Sequence, residues 1–192
     1  MDNKLIVHYQ GLPPSVNEYL KPSVVMKDDK PLVHMYETAK AKQFKKRFRA
    51  YLKNEVKRQG WDIEQTSEGH WYLDCVFYMP RTNADSDNRY KVLLDSFTGI
   101  ATLDDKNVLA RTQMVMYDAK NPRFSVILRR TGYRGIFRSE QDYKSFFDKN
   151  CSDCKRNVEK CTIRRKALEG RVTEDIATES GTKYCINKKS KG

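Results

Sequence analysis

Five aspartates crowd into the segment Asp85–Asp105 of a chain whose formal net charge is +12: Asp85, Asp87, Asp95, Asp104 and Asp105. Asp85 and Asp87 are separated by one residue where a strand exit turns toward a helix, and in an extended stretch such residues point to the same side. Asp87, Lys91 and Asp95 recur at four-residue steps and would share one stripe of that helix. Asp104 and Asp105 arrive just before the next strand, close enough in sequence to fold back over the first pair. Mg²⁺ is a hard cation that prefers oxygen ligands, keeps several waters and is commonly completed by substrate phosphate, so this set of carboxylates suits it. Two such ions could activate a water and stabilise the leaving oxygen of a phosphodiester. Lys91 beside them could neutralise charge developing on the phosphate. The same spacing admits a plain structural reading, in which Asp85 caps the helix while Asp87 and Asp95 pair with Lys91 on its surface.

A second set of chemically capable residues lies in the tail. Cys151, Cys154, Cys161 and Cys185 follow the pattern C-x2-C-x6-C-x23-C. C-x2-C lets two thiolates chelate one ion from a tight turn, and four thiolates make a closed tetrahedral Zn²⁺ site. Such an ion would let a segment with few apolar side chains fold, because metal binding can supply the missing core energy. Disulfides, or free thiols on a disordered basic tail, are the competing accounts. His8, His34 and His70 lie outside the tail, so all four ligands would be cysteines. Cys75 belongs to a strand and is expected in the core. Lys155, Arg156, Lys160, Arg164, Arg165 and Lys166 crowd the tail cysteines, where they would extend a DNA footprint or mediate a protein contact.

The elements that must position these groups can be read from composition and periodicity. A chain of 192 residues accommodates one ordinary domain with a small appendage, and 39% hydrophobic residues are enough for a core. No apolar run approaches the ~18 residues that span a bilayer. The start, MDNKLIVHYQG, lacks the long apolar stretch of a secretion signal, so a cytoplasmic location and no membrane partner are expected. Lys and Arg number 37 against 25 Asp and Glu, an excess that favours a polyanion such as nucleic acid.

Residues 4–9 read as a first strand, broken by GLPPSVNEYL. From Glu37 to Arg58, Ala41, Phe44, Phe48, Leu52 and Val56 recur at helical spacing, with Gly60 as the stop. Nine cations (Lys40, Lys42, Lys45, Lys46, Arg47, Arg49, Lys53, Lys57 and Arg58) occupy its other faces. HWYLDCVFYMP is a strand rich in aromatic and β-favouring residues. Asp87–Phe97 is helical, with Tyr90, Leu93, Leu94 and Phe97 on its apolar side. Val108–Tyr117 and Phe124–Arg129 read as strands joined by the turn DAKNPR, which predicts an antiparallel hairpin. Ser139 would cap a short helix to Lys149, with Asp142 three residues on. The expected fold class is α+β, a mixed sheet packed with helices plus a small zinc-binding module. The expected divisions are a main domain over 1–132, a linker with a short helix over 133–150, and a four-cysteine basic tail over 151–192.

Two separated motifs resemble the RusA family of Holliday junction resolvases, small metal-dependent endonucleases of bacteria and phages. LPPSVNEYL resembles the family's proline–proline–serine–x–asparagine loop after strand one. DSDNRYKVLLDSFTGIATLDDKNV resembles its D-x-D-N-x-x-K, its helix with an internal aspartate and its closing D-D-x-x-V. Order and spacing agree over roughly residues 5–130. The resemblance implies that Asp85, Asp87 and Asp105 hold Mg²⁺ or Mn²⁺, with Asp104 sharing or substituting for Asp105, and that Lys91 is the essential lysine. Asn88 matches the family asparagine, and Asn17 and Tyr19 match the front loop. It further implies a homodimer cutting symmetrically across four-way, branched DNA in recombination and repair, in a bacterial cell or encoded by a phage. The arginine run that precedes D-x-D in some members is reduced here to Arg81, leaving the basic 37–58 helix as a candidate for phosphate contact. The rival reading is a non-catalytic nucleic-acid-binding zinc protein whose aspartates only cap and pair.

Overall fold

The computed structural model describes residues 4–190. The chain runs β1 (Lys4–Gln10), α1 (Val16–Tyr19), β2 (Leu20–Lys27), β3 (Lys30–Glu37), α2 (Ala39–Gln59), β4 (Trp71–Met79), α3 (Tyr90–Phe97), β5 (Val108–Tyr117), β6 (Arg123–Arg130), α4 (Glu140–Asn150), α5 (Thr162–Leu168), β7 (Ile176–Glu179) and β8 (Thr182–Cys185). Short 3₁₀ turns occupy Ile63–Ser67 and Asp87–Arg89. The chain forms two compact units. Among the described residues, one takes 4–67 together with 71–129, and the other takes 68–70 and 130–190.

In the first unit β4 alternates strictly, burying Trp71, Leu73, Cys75, Phe77 and Met79, as the two-residue period of a strand requires. It lies inside a four-stranded sheet of order β1-β6-β4-β5. β1 runs antiparallel to β6 and β4 parallel to β5, so the sheet is mixed and the fold is α+β. A parallel pair cannot be joined by a tight turn and needs a crossover. That crossover carries α3, which inserts Leu93 and Phe97 into a core shared with Phe48 and Leu52 of α2. Phe48 meets Tyr9, Phe97 and Phe124 at ring-centroid distances of 4.9, 5.8 and 5.4 Å. Trp61 and Trp71 pack edge to face at 5.5 Å, and the Trp61 indole N–H donates to the Ala101 carbonyl at 2.9 Å. α2 starts where the Thr38 hydroxyl accepts from the Ala41 amide. It ends where Gly60, at φ 61, turns left-handed and returns its N–H to Lys57 and Val56.

Two features depart from expectation. Val108–Tyr117 and Phe124–Arg129 do not pair with each other, because β6 lies between β1 and β4 while β5 flanks β4 on the other side. The turn after β5 reverses the chain but does not choose its partner. β6 buries Phe124, Val126 and Leu128 completely, which suits an inner strand. β2 and β3 were not anticipated at all. They pair in register from Leu20↔Glu37 to Lys27↔Lys30 around a two-residue turn in which Asp28 and Asp29 both have positive φ, at 51° and 58°. That is the twist-matched hairpin turn for which Asp is tolerated. The ribbon carries no buried residue along either strand, so it lacks the one-sided alternation that would reveal it.

In the second unit Phe137, Tyr143, Phe146, Ile163, Ala167 and Ile176 form a small separate core. α4 contributes Tyr143 and Phe146 to it, beside Ile163 and Ala167 of α5. Ser139 caps α4 by accepting from the Asp142 amide at 3.0 Å. Gly135, at φ 61, passes so close to α5 that a Cβ there would stand 2.1 Å from the Ala167 carbonyl oxygen. β7 and β8 pair as an antiparallel hairpin.

Candidate active site

The loop leaving β4 is organised by Asp85. One of its carboxylate oxygens accepts from the Asp87 amide at 2.9 Å and the other from the Asn88 side chain at 3.1 Å. This is an Asx turn that brings Asp87 to the start of the crossover. Both carboxylates remain solvent-exposed. Tyr90 anchors the first turn of α3 from the inside, its hydroxyl bonded to Thr112 on β5. Burial pushes the Tyr90 hydroxyl up to about 12, so it is a neutral structural group at physiological pH.

One turn further, Lys91 bridges two carboxylates. Its Nζ stands 2.8 Å from Asp95 Oδ1 and 3.9 Å from Asp105 Oδ2. Asp95 is itself held from the other side. The Tyr19 hydroxyl donates to its Oδ2 at 2.7 Å, and Lys45 lies 3.6 Å from that oxygen. Partial burial raises the Asp95 carboxyl, but the bonds from Lys91 and Tyr19 outweigh it and hold the group below its ordinary value. The hydrogen bond to Asp95 in turn raises Lys91 above the usual lysine range. Lys91 is therefore a fixed cation at the rim of the acidic loop.

Asp104 and Asp105 point to different partners. Asp105 faces Lys91, whereas Asp104 accepts from the Lys106 amide at 3.1 Å and pairs with the Lys106 ammonium at 3.2 Å. These bonds hold the Asp104 carboxyl below its usual range, the Lys106 amide contributing most. Among the described residues, no three His, Cys, Asp or Glu side chains are grouped closely enough to hold an ion. The aspartates accordingly do not close into a cage here, and neither do the tail cysteines. The donor set nevertheless fits Mg²⁺ or Mn²⁺ chemically. Asp85, Asp87 and Asp105 offer accessible carboxylate oxygens, and such an ion is ordinarily held by one or two carboxylates, with waters and substrate phosphate completing its shell.

The two sequence motifs, far apart in the chain, meet in space. Pro13, Pro14 and Asn17 of the front loop face Arg81, Asp85 and Asn88 across an open groove of about 530 Å³. Arg89, half buried, ties the two sides by donating to the Pro13 carbonyl. Of the nine α2 cations, Lys40 pairs with Glu18 and Arg58 with Glu55, and the other seven divide into two groups. Lys45 and Arg49 turn inward; Lys45 contacts Tyr19 and Glu37, and Arg49 donates to the carbonyls of Asp95, Ser96 and Thr98 at 3.0 to 3.3 Å. Lys42, Lys46, Arg47, Lys53 and Lys57 are exposed. The sequence does not announce Asp95 as a hub, nor Tyr19, Lys45 and Arg49 as its supports. The four-residue step from Lys91 to Asp95 was the one signal available.

A mixed sheet whose parallel crossover carries the acidic loop and its lysine is accompanied by a family match of the endodeoxyribonuclease class: residues 13–129, more than half of the chain, match the family model described as Endodeoxyribonuclease RusA. The chain belongs to the RusA family. Membership implies an endonuclease of the Holliday junction-resolving kind, acting on branched DNA. The match takes in the front loop, the acidic segment and nearly all of β6, and stops before Arg130, where the longer stretch of the second unit begins. Comparison with curated proteins returns no match. Among the described residues no helix is long and apolar enough to cross a membrane.

Proposed function

We propose that this protein resolves four-way DNA junctions by paired symmetric nicks, as a divalent-metal-dependent homodimer. The observation that carries the reading is the placement of Lys91 between Asp95 and Asp105, one helical turn beyond the Asp85–Asp87 loop. Asp85, Asp87 and Asp105 hold Mg²⁺ or Mn²⁺, which when bound supplies Lewis-acid stabilisation of the phosphate and a more acidic attacking water. Lys91 neutralises charge that accumulates on the non-bridging phosphate oxygens as the P–O bond breaks. Asp95, Tyr19 and Lys45 keep that ammonium aimed. Asn17, Asn88 and Arg81 line the groove along which the scissile strand is held, and the exposed lysines of α2 add non-specific phosphate contacts.

The homodimer is supported by the β2–β3 ribbon. Val24, Val25, Met26, Leu32, Val33 and Met35 are between 47% and 63% exposed. An isolated two-stranded ribbon is marginal in water, and contiguous exposed apolar residues mark an association surface. A second copy of the chain is the occupant that also explains symmetric cutting, since a two-fold axis presents the same patch and the same site twice.

The test is incubation with a synthetic four-way junction across a Mg²⁺ and Mn²⁺ titration. Metal-dependent paired nicking is expected. Asp87→Asn should abolish cleavage while leaving junction binding intact, or tighten it by relieving repulsion with phosphate. Junction binding by the unaltered protein with no nicking at any metal concentration would instead favour the non-catalytic alternative. Full cleavage by Asp87→Asn would remove Asp87 from the site.

A further inference from the structure

The four cysteines of the second unit come from separate element ends and meet at one place. Cys151 closes α4, Cys154 follows in the next turn, Cys161 stands at the start of α5 and Cys185 ends β8. All four line a single cavity of about 20 Å³, and all four are free thiols. Cys151 lies within electrostatic reach of the other three. The backbone is arranged to keep them there. The Lys155 amide donates to the Lys189 carbonyl at 2.7 Å, and Cys154 bridges Ser190, which lays the segment after Cys185 along the Cys151–Cys154 turn. Buried Asn150 donates to the Phe146 carbonyl and accepts from the Cys185 amide at 3.0 Å.

The sulfurs are also treated as acceptors. Backbone N–H groups of Lys189 and of Arg156, two residues on, donate to Cys154. The Asn187 N–H, again two residues on, donates to Cys185. Arg156 and Arg164 also line the cavity and offset the net negative charge that four thiolates leave on a divalent ion.

We propose that Cys151, Cys154, Cys161 and Cys185 bind one Zn²⁺ as a closed four-thiolate site, and that this ion holds the second unit folded. Soft sulfur donors select Zn²⁺ over the hard ions suited to the aspartates. The thiols are not at ligand spacing as they stand. Binding draws them inward to a Zn–S distance of about 2.3 Å and releases their protons to solvent. The energetic need is visible in the unit's own core, which consists of six buried apolar residues, too few to hold such a segment by apolar burial alone.

Full-length protein purified under reducing conditions should contain close to one zinc per chain by elemental analysis. Replacement by Co²⁺ should produce the intense thiolate-to-metal charge-transfer absorption of a tetrahedral sulfur site, a readout on the unaltered chain that needs no variant to fold. Cys154→Ser and Cys185→Ser should each lose the metal, whereas Cys75→Ser, altering a cysteine of the first unit's core, should retain it. Zinc-free protein, a Co²⁺ spectrum without those bands, retention of full zinc by either tail variant, or cysteines found paired as disulfides would each overturn the assignment.

Discussion

At Lys91 a catalytic-looking side chain is made useful by its neighbours. Lys91 is exposed, and an exposed ion pair contributes little stability, so the value of the Asp95 contact is directional. The pH behaviour follows from the two shifts. Lys91 is raised, so its bond to Asp95 is fully present below the ordinary lysine value of 10.5 and is lost as pH climbs through the raised one. Asp95 is lowered, so its contribution is present above 3.8 and is lost as pH falls through the depressed value. The pair is intact at neutral pH. Asp95→Asn should lower cleavage about 100-fold, the cost of a misplaced catalytic group, with junction affinity little changed. It should also move the alkaline limb of the pH–rate profile to lower pH, and an unmoved limb would confine Asp95 to a structural role. Asp85, Asp87, Lys91 and Asp105 were readable as candidates because residue type and local spacing carry the signal. The anchoring of Asp95 was not, since Tyr19 lies 76 residues away in the chain and no local pattern announces such a contact.

At the scale of elements, what the sequence revealed depended on whether one face is buried. α2, α3, β1 and β4 each put apolar side chains on a single face, and their periodicity could be read directly. β2 and β3 bury neither face and were invisible. β6 was recognisable as a strand but not as an inner one, because strand pairing is chosen by tertiary packing rather than by the turn that precedes it. This inner position has a measurable consequence. Phe124 is fully buried against Phe48 and Phe77, so Phe124→Ala should cost about 3–5 kcal/mol in chemical denaturation. A loss under about 1 kcal/mol would be expected of a peripheral strand instead.

For the whole molecule, the ribbon and the two-unit division carry the consequences. Val24 faces Val33 across the ribbon, and Val25 faces Leu32. Val33→Glu would place a charge in the centre of a surface proposed to pack on its own copy. The expected result is a shift from dimer to monomer by light scattering, with singly nicked junctions accumulating in place of resolved duplexes. A variant that stays dimeric and resolves junctions normally would move the dimer contact elsewhere. The division has a further practical outcome. Both of the chain's tryptophans, Trp61 and Trp71, sit in the first unit's core. Indole fluorescence therefore reports the melting of the first unit alone, and the second unit adds no indole emission beside it. Loss of order in that second unit would register in circular dichroism while the emission maximum stayed still, so the two foldings can be followed separately in one cuvette.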